Sequence, residues 1–167
     1  MKTAVFYGPD SPAPLVIEEV DLPRVGPTQV LIKVSACGVC SREGAAHRGR
    51  RTVDTPVIFG HEISGIVEEI GSLVRDFKPG DRVTTKQYSS CGRCLACRSG
   101  EDVRCTDPPQ PDINGGGFAE YVAIEDQCCA MVPPGVDLAG ASILACVAGI
   151  PWRALTMAQV QEGKSLW

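Results

Sequence analysis

Residues Gly60–Val74 read GHEISGIVEEIGSLV. A histidine and a glutamate stand directly behind a glycine, and the run ISGIVEEIG that follows has the apolar, partly alternating character of a short strand closed by a second glycine. The stretch therefore reads as a strand with two candidate ligand side chains, His61 and Glu62, at its head. Similar runs lie on either side between Gly and Pro breaks: TAVFYG, LVIEEVDLP and QVLIKVSA before it, DRVTT, FAEYVAI and CAMVPP after it. That spacing predicts a mainly β domain, a sandwich or barrel of short strands. A short helix is expected after Cys40, in SREGAAHRG. Helical periodicity returns late, where Asp137 can cap LAGASILACVAG and PWRALTMAQV resumes after a break at Gly149–Pro151.

The 167 residues fit one domain with a real core, while an enzyme needing two lobes would be short of material. Hydrophobic residues at 44%, charged residues at 22% and a net charge of -4 exclude a phosphate-tracking basic stripe and a bilayer-spanning run. Nucleic acid and membrane are therefore not expected partners. The start, MKTAVFYGPDSP, breaks on Gly8 and Pro9 before a signal-like apolar segment develops, so a cytoplasmic location is expected. In a reducing compartment, nine cysteines are better read as metal ligands or catalytic groups than as disulfides.

Four of them, Cys91, Cys94, Cys97 and Cys105, follow C-x2-C-x2-C-x7-C, with Gly92 and Gly100 allowing a tight fold. Four thiolates favour tetrahedral zinc, and because four protein ligands close the coordination sphere, such a site shapes a loop and leaves no place for substrate. Subtracting the ion leaves roughly two units of negative charge, which Arg93, Arg98 and Arg104 in the same lobe can offset. An iron–sulfur cluster and a C-x-x-C redox dithiol are the competing readings.

Chemistry would need ligands from elsewhere: Cys37 and Cys40 in ACGVC, His61 and Glu62, and Cys146 in ILACVAG. A Cys-His-Cys set leaves one position on zinc open for water or a carbonyl. On spacing alone the commoner reading is a satisfied core histidine and small hydrophobic cysteines.

The stretch Gly60–Val74 also fits G-H-E-x2-G-x5-G-x2-V, and KPGDRV, the four-cysteine lobe, GGFAEY and ACVAGIPWRAL follow it in order. In these motifs the chain resembles the zinc-containing alcohol dehydrogenases of the medium-chain dehydrogenase/reductase superfamily. The resemblance implies a GroES-like, partly open β-barrel with a projecting structural-zinc lobe (89–107) inside a catalytic domain spanning 1–136. It also implies a catalytic zinc on Cys40, His61 and Cys146, with Glu62 beside the metal as a transient ligand or a hydrogen-bond acceptor. Two zinc ions per chain are thus expected.

The chain departs from that family after the first ligand, where a Ser or Thr, an Asp and often a His are usual. Arg42, Glu43 and Ala45 stand at those places, and His47 lies two residues further on. The usual hydroxyl-to-histidine proton relay is therefore not assumed. Glu43 keeps a carboxylate that can orient His61 through its other ring nitrogen. Arg42 suits bidentate binding of a carboxylate or phosphate, so an anionic substrate or a cofactor phosphate competes with a plain salt bridge on a short helix. Cys37 is expected to pack at a strand end. Cys128 and Cys129 are expected to be strand neighbours on opposite faces. HRGRRTVDTP reads as a solvated loop, with anion binding the alternative.

Hydride transfer in that family needs NAD or NADP in a doubly wound domain, and no G-x-G-x-x-G occurs here; NGGGF leads into a strand rather than joining strand to helix. PPQPDINGGG reads as an exposed loop. Residues 137–167 are expected to lead toward a nucleotide-binding (Rossmann) domain missing from this chain, with QEGKSLW opening a new strand. The resulting reading is the catalytic part of a zinc-dependent, NAD(P)-linked alcohol dehydrogenase or carbonyl reductase. Its substrate would be a small alcohol or carbonyl compound, an anionic one included, and a homo-oligomer is compatible with it. The alternative is a stand-alone zinc-binding module, catalytically silent or using zinc as a Lewis acid without hydride transfer.

Overall fold

The computed structural model describes residues 1–86, 90–107, 116–161 and 163. Its strands are β1 (Lys2–Phe6), β2 (Leu15–Glu19), β3 (Gln29–Gly38), β4 (Val57–Ile58), β5 (Glu62–Ile70), β6 (Arg82–Thr85), β7 (Tyr121–Glu125) and β8 (Cys129–Met131). Helix α1 covers Ser41–His47, α2 Leu95–Arg98, α3 Leu138–Ser142 and α4 Gly149–Met157.

A sheet ordered β7-β3-β5-β6-β8 forms the body, and a smaller one, β2-β1-β4, lies beside it. All the pairings are antiparallel. The segment Phe118–Glu120 joins the sheets: Ala4 N–H donates to Phe118 O, Glu120 N–H to Lys2 O, and Val34 N–H to Glu120 O. This is the mainly β, GroES-like architecture expected. Inward side chains of β3, β5, β6 and β7 make the core, with Val30, Ile32, Ile63, Val67, Val83 and Val122 buried together and Val74, from the turn after β5, packed with them. β-Branched residues dominate because they pack well on a pleated surface.

Local detail departs from the sequence reading in three places. Residues around Gly149–Pro151 do not break the helix: α4 begins at Gly149 and Pro151 sits in its first turn. There a missing N–H costs little, because the first turn has no intrahelical acceptor for it. Cys128 and Cys129 are not strand neighbours: Cys128 closes a 3-10 turn and Cys129 opens β8. In PPQPDINGGG, residues 108–115 lie outside those described, while Gly116 and Gly117 are buried rather than exposed. Most of QEGKSLW also lies outside the described residues. No helix among the described residues is long and apolar enough to cross a membrane.

Candidate active site

In the lobe, Cys94 Sγ lies 3.5 Å from Cys97 Sγ and 4.0 Å from Cys105 Sγ, and Cys91 Sγ is 4.0 Å from Cys97 Sγ. A tetrahedron with metal–sulfur arms of about 2.3 Å has edges near 3.8 Å, so these four sulfurs already have the dimensions of a zinc site. Backbone N–H groups turn toward the sulfurs, Cys91 N–H donating to Cys105 Sγ and Cys94 N–H to Cys91 Sγ, each at 3.3 Å. The Cys94 thiol is lowered to about 6, chiefly by the backbone N–H groups of Cys97 and Thr106, whereas burial pushes Cys97 up to about 12. Arg93 and Arg104 bind Asp107 and Glu101 at 2.5 and 3.1 Å, so the lobe's cations are shared with its own acids.

The second cluster is assembled from three places. Cys40 ends the connection from β3 and N-caps α1; Glu62 opens β5, with His61 just before it. Cys146 sits in a single π turn, Leu144–Ala148, between α3 and α4. Donor atoms of Cys40, His61, Glu62 and Cys146 all lie within 4.8 Å of one another, and Cys40 Sγ is 4.0 Å from Cys146 Sγ.

Backbone features bring these groups together. β3 pairs with β5 so that Gly38 stands opposite Glu62, and any Cβ at Gly38 would overlap the Glu62 carboxylate. Gly60 takes φ +104, a conformation open to glycine, and turns the chain so that His61 follows. Gly117 N–H donates to Gly60 O and Phe118 N–H to Phe59 O, both at 2.8 Å, which pins that turn to the joining segment. On the other side, Ser64 Oγ donates to Leu138 O, and Thr84 Oγ1 donates to Ala141 O at 2.9 Å. These bonds tie α3, capped by Asp137 as expected, to β5 and β6 ahead of Cys146. The π turn widens the helix at Cys146; such turns often occur at functional sites, and nothing in the local composition of LACVA signals it.

His61 Nδ1 donates to Glu43 Oε1 at 2.7 Å, leaving Nε2 on the side of the sulfurs. Nε2, Glu62 Oε1 and Glu43 Oε2 are buried without a hydrogen-bond partner. The Glu43 contact raises the His61 pKa; burial raises that of Glu43, but His61 and the backbone N–H groups opening α1 hold it below the usual glutamate value. The Cys40 thiol is lowered, first by the backbone N–H of Arg42, while burial pushes Cys146 up to about 12, reinforced by Glu62 and Cys40. A buried imidazole nitrogen and a buried carboxylate oxygen without partners, beside two sulfurs, carry a free-energy cost that a divalent cation would remove. The donor set fits zinc.

Other candidates are not brought in. His47 lies against Phe6 with ring centroids 6.1 Å apart and ring planes tilted by 37°, and Ala45 offers no donor. Cys37 is packed against the core beneath Gly60 and Gly117, its thiol pushed up to about 12 by burial. Cys129 also lies against the core. Arg42 is exposed at the start of α1. Sequence reasoning gave Ser41 no role, yet its Oγ is 3.9 Å from Cys40 Sγ.

The chain belongs to the alcohol dehydrogenase GroES-like domain family, whose profile matches residues 26–134. It is 35% identical to an NAD-dependent alcohol dehydrogenase of Sulfolobus acidocaldarius over 92% of its own length and 47% of the relative's. The structure superposes on that of the protein AibC with a TM-score of 0.86 at 32% identity, covering 98% of this chain and 47% of the other. It also superposes on acetophenone reductase from Geotrichum candidum in complex with NAD, with a TM-score of 0.85 at 27% identity, covering 96% and 48%. The chain thus spans about half the length of the curated relatives it matches.

Proposed function

We propose that this chain is the catalytic part of a zinc-dependent, NAD(P)-linked alcohol dehydrogenase or carbonyl reductase acting on a small alcohol or carbonyl compound. The observation that carries the reading is the convergence of Cys40, His61, Glu62 and Cys146, drawn from separate elements, onto one point with unpartnered buried donor atoms. Cys40, His61 and Cys146 would hold the ion, which supplies a Lewis acid for the substrate oxygen.

The chain's own groups prepare that place. Glu43 fixes the His61 tautomer by accepting a hydrogen bond from Nδ1–H, so that the bare Nε2 faces the sulfurs. Glu62 adds a carboxylate at the same point, able to serve as a ligand or stand back as an acceptor. Burial of Glu62 and Cys146 excludes water from the rear of the site. Cys91, Cys94, Cys97 and Cys105 would hold a second, purely structural zinc, since four thiolates fill its coordination.

The nicotinamide cofactor is assigned to the part of the relatives that this chain does not span. Support comes from the name of the Sulfolobus relative, which is NAD-dependent, and from the NAD bound to acetophenone reductase. In this reading residues 1–136 are the catalytic domain and 137–167 the connection onward. Ile150, Trp152 and Met157 of α4 stay exposed, as a helix leading to further apolar packing would leave them.

Native mass spectrometry should count two zinc ions per chain, falling to one in His61→Ala. A protein that includes the nucleotide-binding part should oxidise simple alcohols with NAD or NADP. Two retained zincs in His61→Ala would discard the ligand assignment; two zincs in an intact protein with no turnover would favour the silent zinc module.

A further inference from the structure

His61 and Glu62 stand at the head of β5 and Cys146 in the π turn, so the assembled site depends on how strand and turn are held against each other. Ser64 lies two residues beyond Glu62 on the same face of β5, and Thr84 of β6 stands directly opposite it in the ladder. Ser64 Oγ donates to Leu138 O, and Thr84 Oγ1 donates to Ala141 O at 2.9 Å, so two cross-strand neighbours grip carbonyls one turn apart in α3. Thr84 Oγ1 shares its proton with Ile63 O of β5, at 3.1 Å, which makes it a bridge between strand and helix. Ser64 and Ala141 are fully buried, leaving no room for water to replace a lost donor. Just past Ala141 the helix changes pitch: Ala148 N–H reaches Ile143 O, five residues back, at 3.4 Å, and Cys146 lies inside that wide turn. A side chain inserted at the carbonyls of a helix is one physical cause of such a change.

We infer that Ser64 and Thr84 are positioning residues of the assembled site: their hydroxyls set the π turn and so hold the Cys146 sulfur where one ion can reach it together with Cys40 and His61. The inference rests on the site reading above. Neither hydroxyl belongs to the cluster; both act through α3, whose gripped carbonyls lie just ahead of Cys146. Removing a donor leaves a buried carbonyl short of a partner and frees the turn to relax toward ordinary helical pitch, which re-aims Cys146. The lobe is indifferent to the pair, because its sulfurs are held by N–H groups of its own backbone.

The test uses the zinc-loaded protein with its nucleotide-binding part and follows zinc retention at each site by competition with a chelator. Thr84→Val keeps the branched shape and removes the donor; the assembled site should then hold zinc about fivefold less tightly, the scale of one net hydrogen bond, while the lobe's zinc is unmoved. Ser64→Ala should act in the same direction, and Thr84→Ser, which keeps the donor, should restore wild-type retention. Cobalt in the assembled site, with zinc kept in the lobe, gives a second readout: its ligand-field bands report the geometry around the ion and should shift in Thr84→Val but not in Thr84→Ser. Should Thr84→Val fail to fold, Ser64→Ala and its cobalt spectrum decide the matter. Wild-type retention and an unshifted spectrum in the donor-less variants overturn this inference alone, and so does an equal loosening of both zincs, which marks a general loss of stability. A wild-type protein that takes up only the lobe's zinc overturns this inference together with the site reading beneath it.

Discussion

The two cysteine clusters are built in opposite ways. Cys91–Cys105 bring four sulfurs together within fifteen residues, using one short helix, one 3-10 turn and N–H···S bonds made by the lobe's own backbone. The Cys40–Cys146 cluster joins residues 106 apart and depends on the β3–β5 register, the start of α1 and the π turn. A site of the first kind reports only its own loop. A site of the second kind reports the whole domain, because a slip in one strand would turn Glu62 to the other face.

The largest effects should come from removing one ligand from each cluster. His61→Ala should lose the ion of the assembled site and lower turnover, in a protein with its nucleotide-binding part, by about a thousandfold or more, the scale of losing several kcal/mol of Lewis-acid stabilisation. It should leave the lobe's zinc in place. Cys94→Ser should do the reverse, releasing the lobe's zinc and exposing 91–105 to proteases while the assembled site keeps its ion. Metal counting on the two variants checks the separation; if either substitution empties both sites, the clusters are not independent.

A smaller effect is expected one layer out. Glu43→Gln keeps the size of the side chain but gives up the negative charge of the carboxylate that accepts the hydrogen bond from His61 Nδ1 at 2.7 Å. Metal affinity of the assembled site should fall by about 10–100-fold, the usual cost of losing a ligand's orienting partner. Competition with a chelator measures it, and the lobe supplies the internal control. An unchanged chelator profile would mean that packing alone holds the imidazole.

The same contrast explains what could be read from sequence. The four-cysteine lobe was legible from spacing because its cysteines are neighbours, so a C-x2-C-x2-C-x7-C pattern is enough to bring their sulfurs together. Strands β1, β3 and β5 were legible too, from apolar runs between glycines. Spacing alone left His61 and Cys146 as ordinary core residues; family resemblance singled them out, and the fold then brought them together. The two-residue strand β4 is too short for a periodic signal. The irregular steps in the β3–β5 ladder and the π turn are set by tertiary packing, which no local pattern encodes. Gly116 and Gly117 were misread as exposed because glycine marks both loose loops and places where backbone must approach backbone closely.

The smallest effect expected is remote from both clusters. Asp81, in the turn before β6, accepts the Lys78 backbone N–H at 2.9 Å and Lys78 Nζ at 2.7 Å, which hold its pKa below the usual aspartate value. A carboxylate with a lowered folded pKa contributes stability that is fully present above its unfolded value, about 3.9, and is lost as pH falls through the folded value. Asp81→Asn should therefore lower the melting temperature slightly at neutral pH, and the gap to wild type should close on acidification below about pH 4. The turn fixes β6, whose Thr84 holds Ala141 ahead of Cys146, so the loosening should reach the assembled site and not the lobe. A gap that stays constant from pH 7 to pH 2 would show that Asp81 acts through its shape rather than its charge.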